Sequence, residues 1–124
     1  MTATSKKKNP PANHQLGQWG ERLAIAWLWL KGYHILATRK RFAGVEVDIL
    51  ACHRQTLVLV EVKTRHNASH LPETLTSAKR ERLLKAARAV QPLLTVHHAH
   101  SIRIDAVLVK PWGLPQHLKN IWGE

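Results

Sequence analysis

The chain predicts an α/β sandwich on a mixed sheet, and three features of the sequence predict it. Residues 14–31 carry apolar side chains at helical spacing. Residues 45–51 and 56–63 are two apolar, β-branched runs separated by a short polar break, the pattern of a hairpin. A second helical run, ending near Val90, is followed by an alternating run at 102–109. With one more strand ahead of the hairpin, the order is α-β-β-β-α-β, which lays helices against a mixed sheet.

Each element has local reasons. In the first helix Leu16, Leu23, Trp27 and Leu30 follow the helical period, and Gly32 after Lys31 is a C-terminal stop. Gly17 and Gly20 each weaken that helix by about 1 kcal/mol, which points to close backbone packing or a frayed first turn. Residues 33–38 read as a strand and Arg39-Lys40-Arg41 as a basic turn. Residues 64–71 read as a polar loop. The second helix starts between Pro72 and Ser77, with Leu83, Leu84, Ala87 and Val90 as its inner stripe and Lys79, Arg80, Arg82, Lys85 and Arg88 around the rest. Pro92 ends it. The tail over residues 116–122 suits either an edge strand or a short helix.

Composition bounds the function. At 124 residues the chain is large enough for one domain with a real core. Residues 1–13 read as a flexible basic arm and 14–124 as the single domain. Nineteen basic against eight acidic residues give a net charge of +11, and the pI is near 10.6. That balance points to a polyanionic partner, nucleic acid before an anionic membrane surface. Cys52 is the only cysteine, which excludes a disulfide framework and a cysteine zinc cluster and fits the cytoplasm. The apolar run 23–30 is too short to span a bilayer.

The chemistry concentrates in the hairpin. Glu46 and Asp48 share one face of the first strand, and Glu61 and Lys63 share one face of the second, because strand neighbours i and i+2 point the same way. Opposed residues in an antiparallel hairpin keep a constant index sum. Pairing Ala51 with Thr56 sets Glu46 opposite Glu61; pairing His53 with Thr56 sets Asp48 opposite Glu61 and Glu46 opposite Lys63. Both even-loop registers gather all four charges on one face, and an odd loop scatters them. Gathering also puts Val45, Val47 and Ile49 with Val58, Val60 and Val62 on the other face. Carboxylates facing each other across strands repel and ask for a cation. Two carboxylates and a lysine on one face suit a divalent metal with a water beside it. The plainer reading is a solvated face with an ordinary Glu–Lys pair.

Other candidates carry weaker signals. Glu21 has apolar helical neighbours Ala24, Ile25 and Leu28, so it is either a further ligand from the helix or a surface carboxylate paired with a base. Lys79 is one lysine on a basic helix. Asp105 beside Arg103 reads as a buried structural carboxylate. His97-His98-Ala99-His100 lacks ligand spacing and a completing acid or cysteine, and reads as a surface loop. Trp112 and Trp122 read as packing residues with base stacking as the other use.

Taken together, Gly17-x-x-Gly20-Glu21, Glu46-Val47-Asp48-Ile49-Leu50-Ala51, Val60-Glu61-Val62-Lys63-Thr64-Arg65, Lys79, Arg103-Ile104-Asp105-Ala106-Val107 and His117-Leu118-Lys119-Asn120-Ile121-Trp122 occur in an order that resembles the bacterial YraN family. That family is similar to archaeal Holliday-junction resolvases and to other PD-(D/E)xK nucleases. The resemblance covers about residues 14–122. It departs at Val45, which stands between Gly44 and the Glu-x-Asp triplet, and at Thr38-Arg39-Lys40-Arg41 ahead of the hairpin.

The resemblance implies a restriction-endonuclease-like fold. It implies Asp48 and Glu61 as ligands for Mg2+ or Mn2+, Lys63 beside the attacking water, and Glu21 as an auxiliary ligand. The leading expectation is therefore a metal-dependent endonuclease acting on DNA, branched or otherwise structured DNA included. Arg39, Lys40, Arg41, Arg65 and Lys79 would contact phosphates. No small-molecule cofactor and no membrane are expected, and a homodimer stays open. Two other readings stand beside it: a nucleic-acid-binding module or accessory factor without cleavage, and a protein-interaction or assembly factor.

Overall fold

The computed structural model describes residues 11–64 and 76–122, with side chains from Gln18 onward. Helix α1 (Pro11–Leu30) leads into β1 (His34–Phe42), β2 (Val45–His53) and β3 (Thr56–Thr64). Helix α2 (Ser77–Ala89) and the short α3 (Leu93–Val96) follow, then β4 (Ser101–Val109) and β5 (Gln116–Leu118). The five strands form one sheet in the order β1-β2-β3-β4-β5. Only β3 and β4 run parallel, joined by the α2 crossover; the other neighbours are antiparallel, so the sheet is mixed.

The turns explain the registers. Ala43 and Gly44 both have positive φ, 53° and 78°, as a two-residue hairpin loop requires, and Phe42 pairs with Val45 across it. The basic triplet expected to turn the chain therefore lies inside β1, and the turn comes after it. In the next hairpin His53 pairs with Thr56 and Ile49 with Val60, the second of the two even-loop registers.

Each face of the sheet has its own core. Ala24 and Leu28 of α1 pack with Tyr33, Ile49, Ala51, Val58, Val60, Val107 and Val109. Leu83 and Ala86 of α2 and Val90 at its C-cap pack with Val45, Val47, Leu50, Leu59 and Ile104 on the other side. Val45 and Val47 were expected with Ile49 and do not join it. The β2–β3 ladder stops at Ile49–Val60, and past that point β2 pairs only with β1, so the pleat no longer ties those residues to the α1 face.

Helix α1 begins at Pro11, earlier than the expected His14, so the arm reading holds at most for residues 1–10, which lie outside the described residues. Its buried line is Gly20, Ala24 and Leu28; Leu30, expected on the inner side, is 71 % exposed. Gly20 meets the expectation of close backbone packing, since an added Cβ would lie 2.1 Å from Thr64 Oγ1. The helix ends in a Schellman arrangement: Gly32 (φ 91°) donates to Trp29 O and Tyr33 to Leu28 O. Helix α2 is capped by Thr76, whose Oγ1 accepts from Lys79 N at 3.2 Å. It ends before Pro92, which instead opens α3. The tail forms the short edge strand β5 and is then tied back by Ile121 N to Ile104 O. Among the described residues, no helix is long and apolar enough to cross a membrane.

Candidate functional site

The chemistry of the hairpin lies where the β2–β3 ladder ends. The residue after Ile49–Val60 in that register is Asp48 against Glu61, and there the ladder is replaced by a side chain: Val62 N donates to Asp48 Oδ2 at 2.8 Å. Asp48 and Glu61 line one cleft of about 230 Å³ with Val45, Glu46, Lys79, Arg82 and Leu83. Burial, then the charge of Glu61, pushes the Asp48 carboxyl up from 3.8 to about 6, with the Val62 N–H pulling the other way. A carboxylate this poorly served by the protein's own groups is a ready acceptor for a cation.

Glu61 is 7 % exposed and carries two ammonium partners. Lys79 Nζ lies 2.5 Å and Lys63 Nζ 3.2 Å from Glu61 Oε2. Lys79, expected to contact phosphate, lies in the cleft and on Glu61. It stands in the first turn of α2, where the helix dipole disfavours a cation, so Glu61 is what makes that position tolerable. The two lysines are not equivalent. Burial and the neighbouring Lys79 hold Lys63 below the ordinary lysine range. Burial also acts against Lys79, but its bond to Glu61 raises it. Of the pair, Lys63 is the one that more readily gives up a proton.

Glu21 sits in an adjacent depression with Gln18, Arg22, Ile25, Thr38 and Arg39, not in the Asp48–Glu61 cleft. Its Oε1 accepts from Arg39 Nε at 2.8 Å, while its charge still raises Asp48. Among the described residues no three His, Cys, Asp or Glu side chains gather to hold a metal, so Glu21 is not assembled with the other two carboxylates. Arg39 is in the left-handed region (φ 51°), a conformation that a non-glycine residue adopts at a cost, in the middle of β1 and at the level of Asp48. Arg41 bonds Gly44 O at 3.1 Å and reaches Glu46 at 4.0 Å; Lys40 lies over the Phe42 ring. Arg65 lies outside the described residues.

The donor set fits a hard divalent cation. Mg2+ commonly takes one or two carboxylates and keeps several waters, and Asp48 and Glu61 supply two such groups facing one cleft. Two residues were not singled out from the sequence: Arg82 on the cleft wall and Thr76 under Lys79. Arg82 had a signal, since it lies one turn after Lys79 and shares its helix face.

A five-stranded mixed sheet with helices on both faces and this hairpin is a restriction-endonuclease-like fold. The solved structure of Hjc from Archaeoglobus fulgidus, a Holliday junction resolvase from an archaeal hyperthermophile, is similar over 83 % of this chain and 76 % of that one, with a TM-score of 0.56. At 24 % identity the likeness is one of fold. The chain belongs to the family described as uncharacterised protein family UPF0102, the YraN family, whose model matches residues 20–109. A UPF0102 protein of Rhizorhabdus wittichii is 40 % identical over 90 % of this chain and 93 % of its own length. One from Maricaulis maris is 39 % identical over 86 % and 84 %, and one from Paramagnetospirillum magneticum 36 % identical over 98 % of both.

Proposed function

We propose that this chain is a divalent-cation-dependent endonuclease that hydrolyses phosphodiester bonds of DNA, with branched or structured DNA as its substrate class. The observation that carries this reading is the buried, mutually repelling pair Asp48 and Glu61 on one cleft, with Lys63 and Lys79 beside them. The resolvase-like fold and the net charge of +11 support it.

Asp48 and Glu61 would hold Mg2+ or Mn2+. Such an ion, when bound, polarises the scissile phosphate and lowers the pKa of a bound water. Lys63, whose proton affinity is lowered, would orient the attacking water and, once it has given up its own proton, would take the water's. Lys79 then turns from Glu61 to the phosphate, replacing one anionic partner with another. Glu21 would serve as a third carboxylate if Arg39 exchanged it for a backbone phosphate. Arg39, Lys40, Arg41 and Arg65 grip the backbone without reading bases.

The test is a cleavage screen titrated with Mg2+ and Mn2+ over duplex, single-stranded, flapped and four-way-junction DNA. Cleavage that requires the metal and disappears in Asp48→Ala is the expected result. No cleavage of any substrate at any metal concentration sinks it. The second reading, binding without cleavage, is favoured by one observation: Glu61 and Glu21 are both already held by cationic side chains. If four to six phosphates are neutralised, the log–log salt slope on duplex is roughly −4 to −5 under either reading. A slope near zero removes nucleic acid as the partner.

A further inference from the structure

The far end of the sheet carries a second concentration of charge that the cleft does not use. Lys31 at the end of α1, Arg54 in the β2–β3 turn and Lys119 just past β5 are all exposed there. Part-buried His53 and Arg103 lie among them: the charges of Arg54, Arg103, Lys119 and Lys31 all act on the His53 ring, and those of Lys119 and Arg103 act on Lys31. The cluster draws on a helix end, a turn, β4 and the tail, so only the tertiary fold assembles it.

A buried scaffold holds it in place. Asp105, 0 % exposed, accepts from Arg103 Nε at 2.8 Å and Nη2 at 2.9 Å, and from Asn120 N at 2.9 Å. His117 Nε2 donates to the same carboxylate at 2.8 Å, which leaves its Nδ1 to accept from Lys31 Nζ at 2.6 Å. Arg103 also donates to Tyr33 O–H, and the Tyr33 ring stacks on His53 at 4.1 Å. The one carboxylate in this cluster is therefore fully occupied from below and is closed to the exposed cations above it. Among the described residues, none of Lys31, Arg54 and Lys119 forms a salt bridge with an acid. Glu21, Glu46, Asp48 and Glu61 all belong to the other end of the sheet.

We propose that Lys31, Arg54 and Lys119 form a second phosphate-binding surface, which takes the nucleic-acid backbone at a distance from the Asp48–Glu61 cleft. Cations spread over a helix end, a turn and the tail suit successive phosphates better than one small anion. The strand from Thr56 to Glu61 separates the two ends by roughly 17 Å, at about 3.3 Å per residue. That length corresponds to roughly five base pairs of duplex at about 3.4 Å each. The phosphates come either from the same duplex that enters the cleft or from a second arm of a branched substrate.

This inference rests on the nucleic-acid reading above, and its test separates the two. Metal-free binding of the full chain is measured by fluorescence anisotropy across a salt series, on a 20-base-pair duplex and on a four-way junction, for wild type and for Lys31→Gln/Arg54→Gln/Lys119→Gln. The expected result is at least a tenfold loss of affinity at 100 mM salt and a salt slope shallower by about 2–3. Loss on both substrates assigns the surface to the same duplex; loss on the junction alone assigns it to a second arm. Because Lys31 touches His117, Arg54→Gln/Lys119→Gln is measured as well, with an expected slope change of about 1–2. Wild-type binding with both variants unchanged overturns this inference and leaves the cleft reading intact. Absence of wild-type binding to either substrate overturns both.

Discussion

Asp48 and Asp105 are two aspartates on strands of the same sheet, and burial meets them with opposite outcomes. Asp105 is fully buried, yet His117, Arg103 and the Asn120 N–H outweigh its desolvation and hold its carboxyl below the ordinary range. Asp48 has one backbone donor, a like charge beside it in Glu61, and a carboxyl pushed up to about 6. The difference is in the supply of donors. Four bonds converge on Asp105 from its own strand β4, from β5 and from the tail. At Asp48 the ladder has just ended and the nearest lysine is engaged with Glu61. A carboxylate that the protein satisfies itself is structural. One that it leaves short, in a cleft, is held ready for something else, and strained groups of that kind cluster at functional sites.

The comparison breaks first at Asp105. Asp105→Ala leaves Arg103 and His117 without their acceptor in a buried position and should cost about 3–5 kcal/mol in urea unfolding at neutral pH. In wild type the depressed carboxyl adds stability above its unfolded pKa, and that share is lost as acid titrates it below about pH 4. An Asp105→Ala protein within 1 kcal/mol of wild type would show that the network is idle.

Asp48→Asn should move stability the other way. With the folded carboxyl raised from 3.8 to about 6, the folded state holds a proton that the unfolded chain has already lost over that window. Wild-type stability therefore falls as pH rises through about 4 to 6 and stays lower above it. The amide can keep the Val62 bond without the charge, so the variant should be more stable by about 1–3 kcal/mol at pH 8 without divalent ions. Mg2+ or Mn2+ should then raise the melting temperature of wild type and leave that of the variant unchanged. A variant less stable than wild type at pH 8 would contradict the account of Asp48 as underserved.

The smallest effect sharpens the cleft side. Thr76→Ala removes the cap under Lys79 and should cost about 1 kcal/mol. Because that first turn positions Lys79 on Glu61, the variant should also bind Mn2+ with altered affinity, read by paramagnetic relaxation of water. Unchanged affinity would mean that Lys79 finds Glu61 without help from the helix start.

Much of the site was legible in strand arithmetic. Residue spacing puts Glu46 with Asp48 and Glu61 with Lys63, and an even loop gathers all four on one face, because both rules are local consequences of the pleat. The same arithmetic fails at Val45 and Val47, since it assumes a ladder that continues, and here the ladder ends at Ile49. Charge likewise misled at Arg39, placed in a turn, when Ala43 and Gly44 have the backbone for one and Arg39 lies inside β1 with a positive φ. Trp27 and Leu30 suggested an inner stripe by hydrophobicity, but the buried line through Gly20 follows the smallest side chains, where α1 must come closest to Thr64.

By itself the sequence determined the order of the longer helices and strands, the helix stop at Gly32, the hairpin register to within two choices, and the family, because periodicity, glycine chemistry and motif order are all properties of short stretches. The tertiary structure decided what each charge faces. It put Lys79 on Glu61, held Glu21 on Arg39, and brought Lys31, Arg103, Asp105 and His117 into one network at the other end of the sheet. Those pairings join residues up to 86 positions apart. Spacing cannot specify them, since a charge is paired by whichever partner the packed core carries within reach.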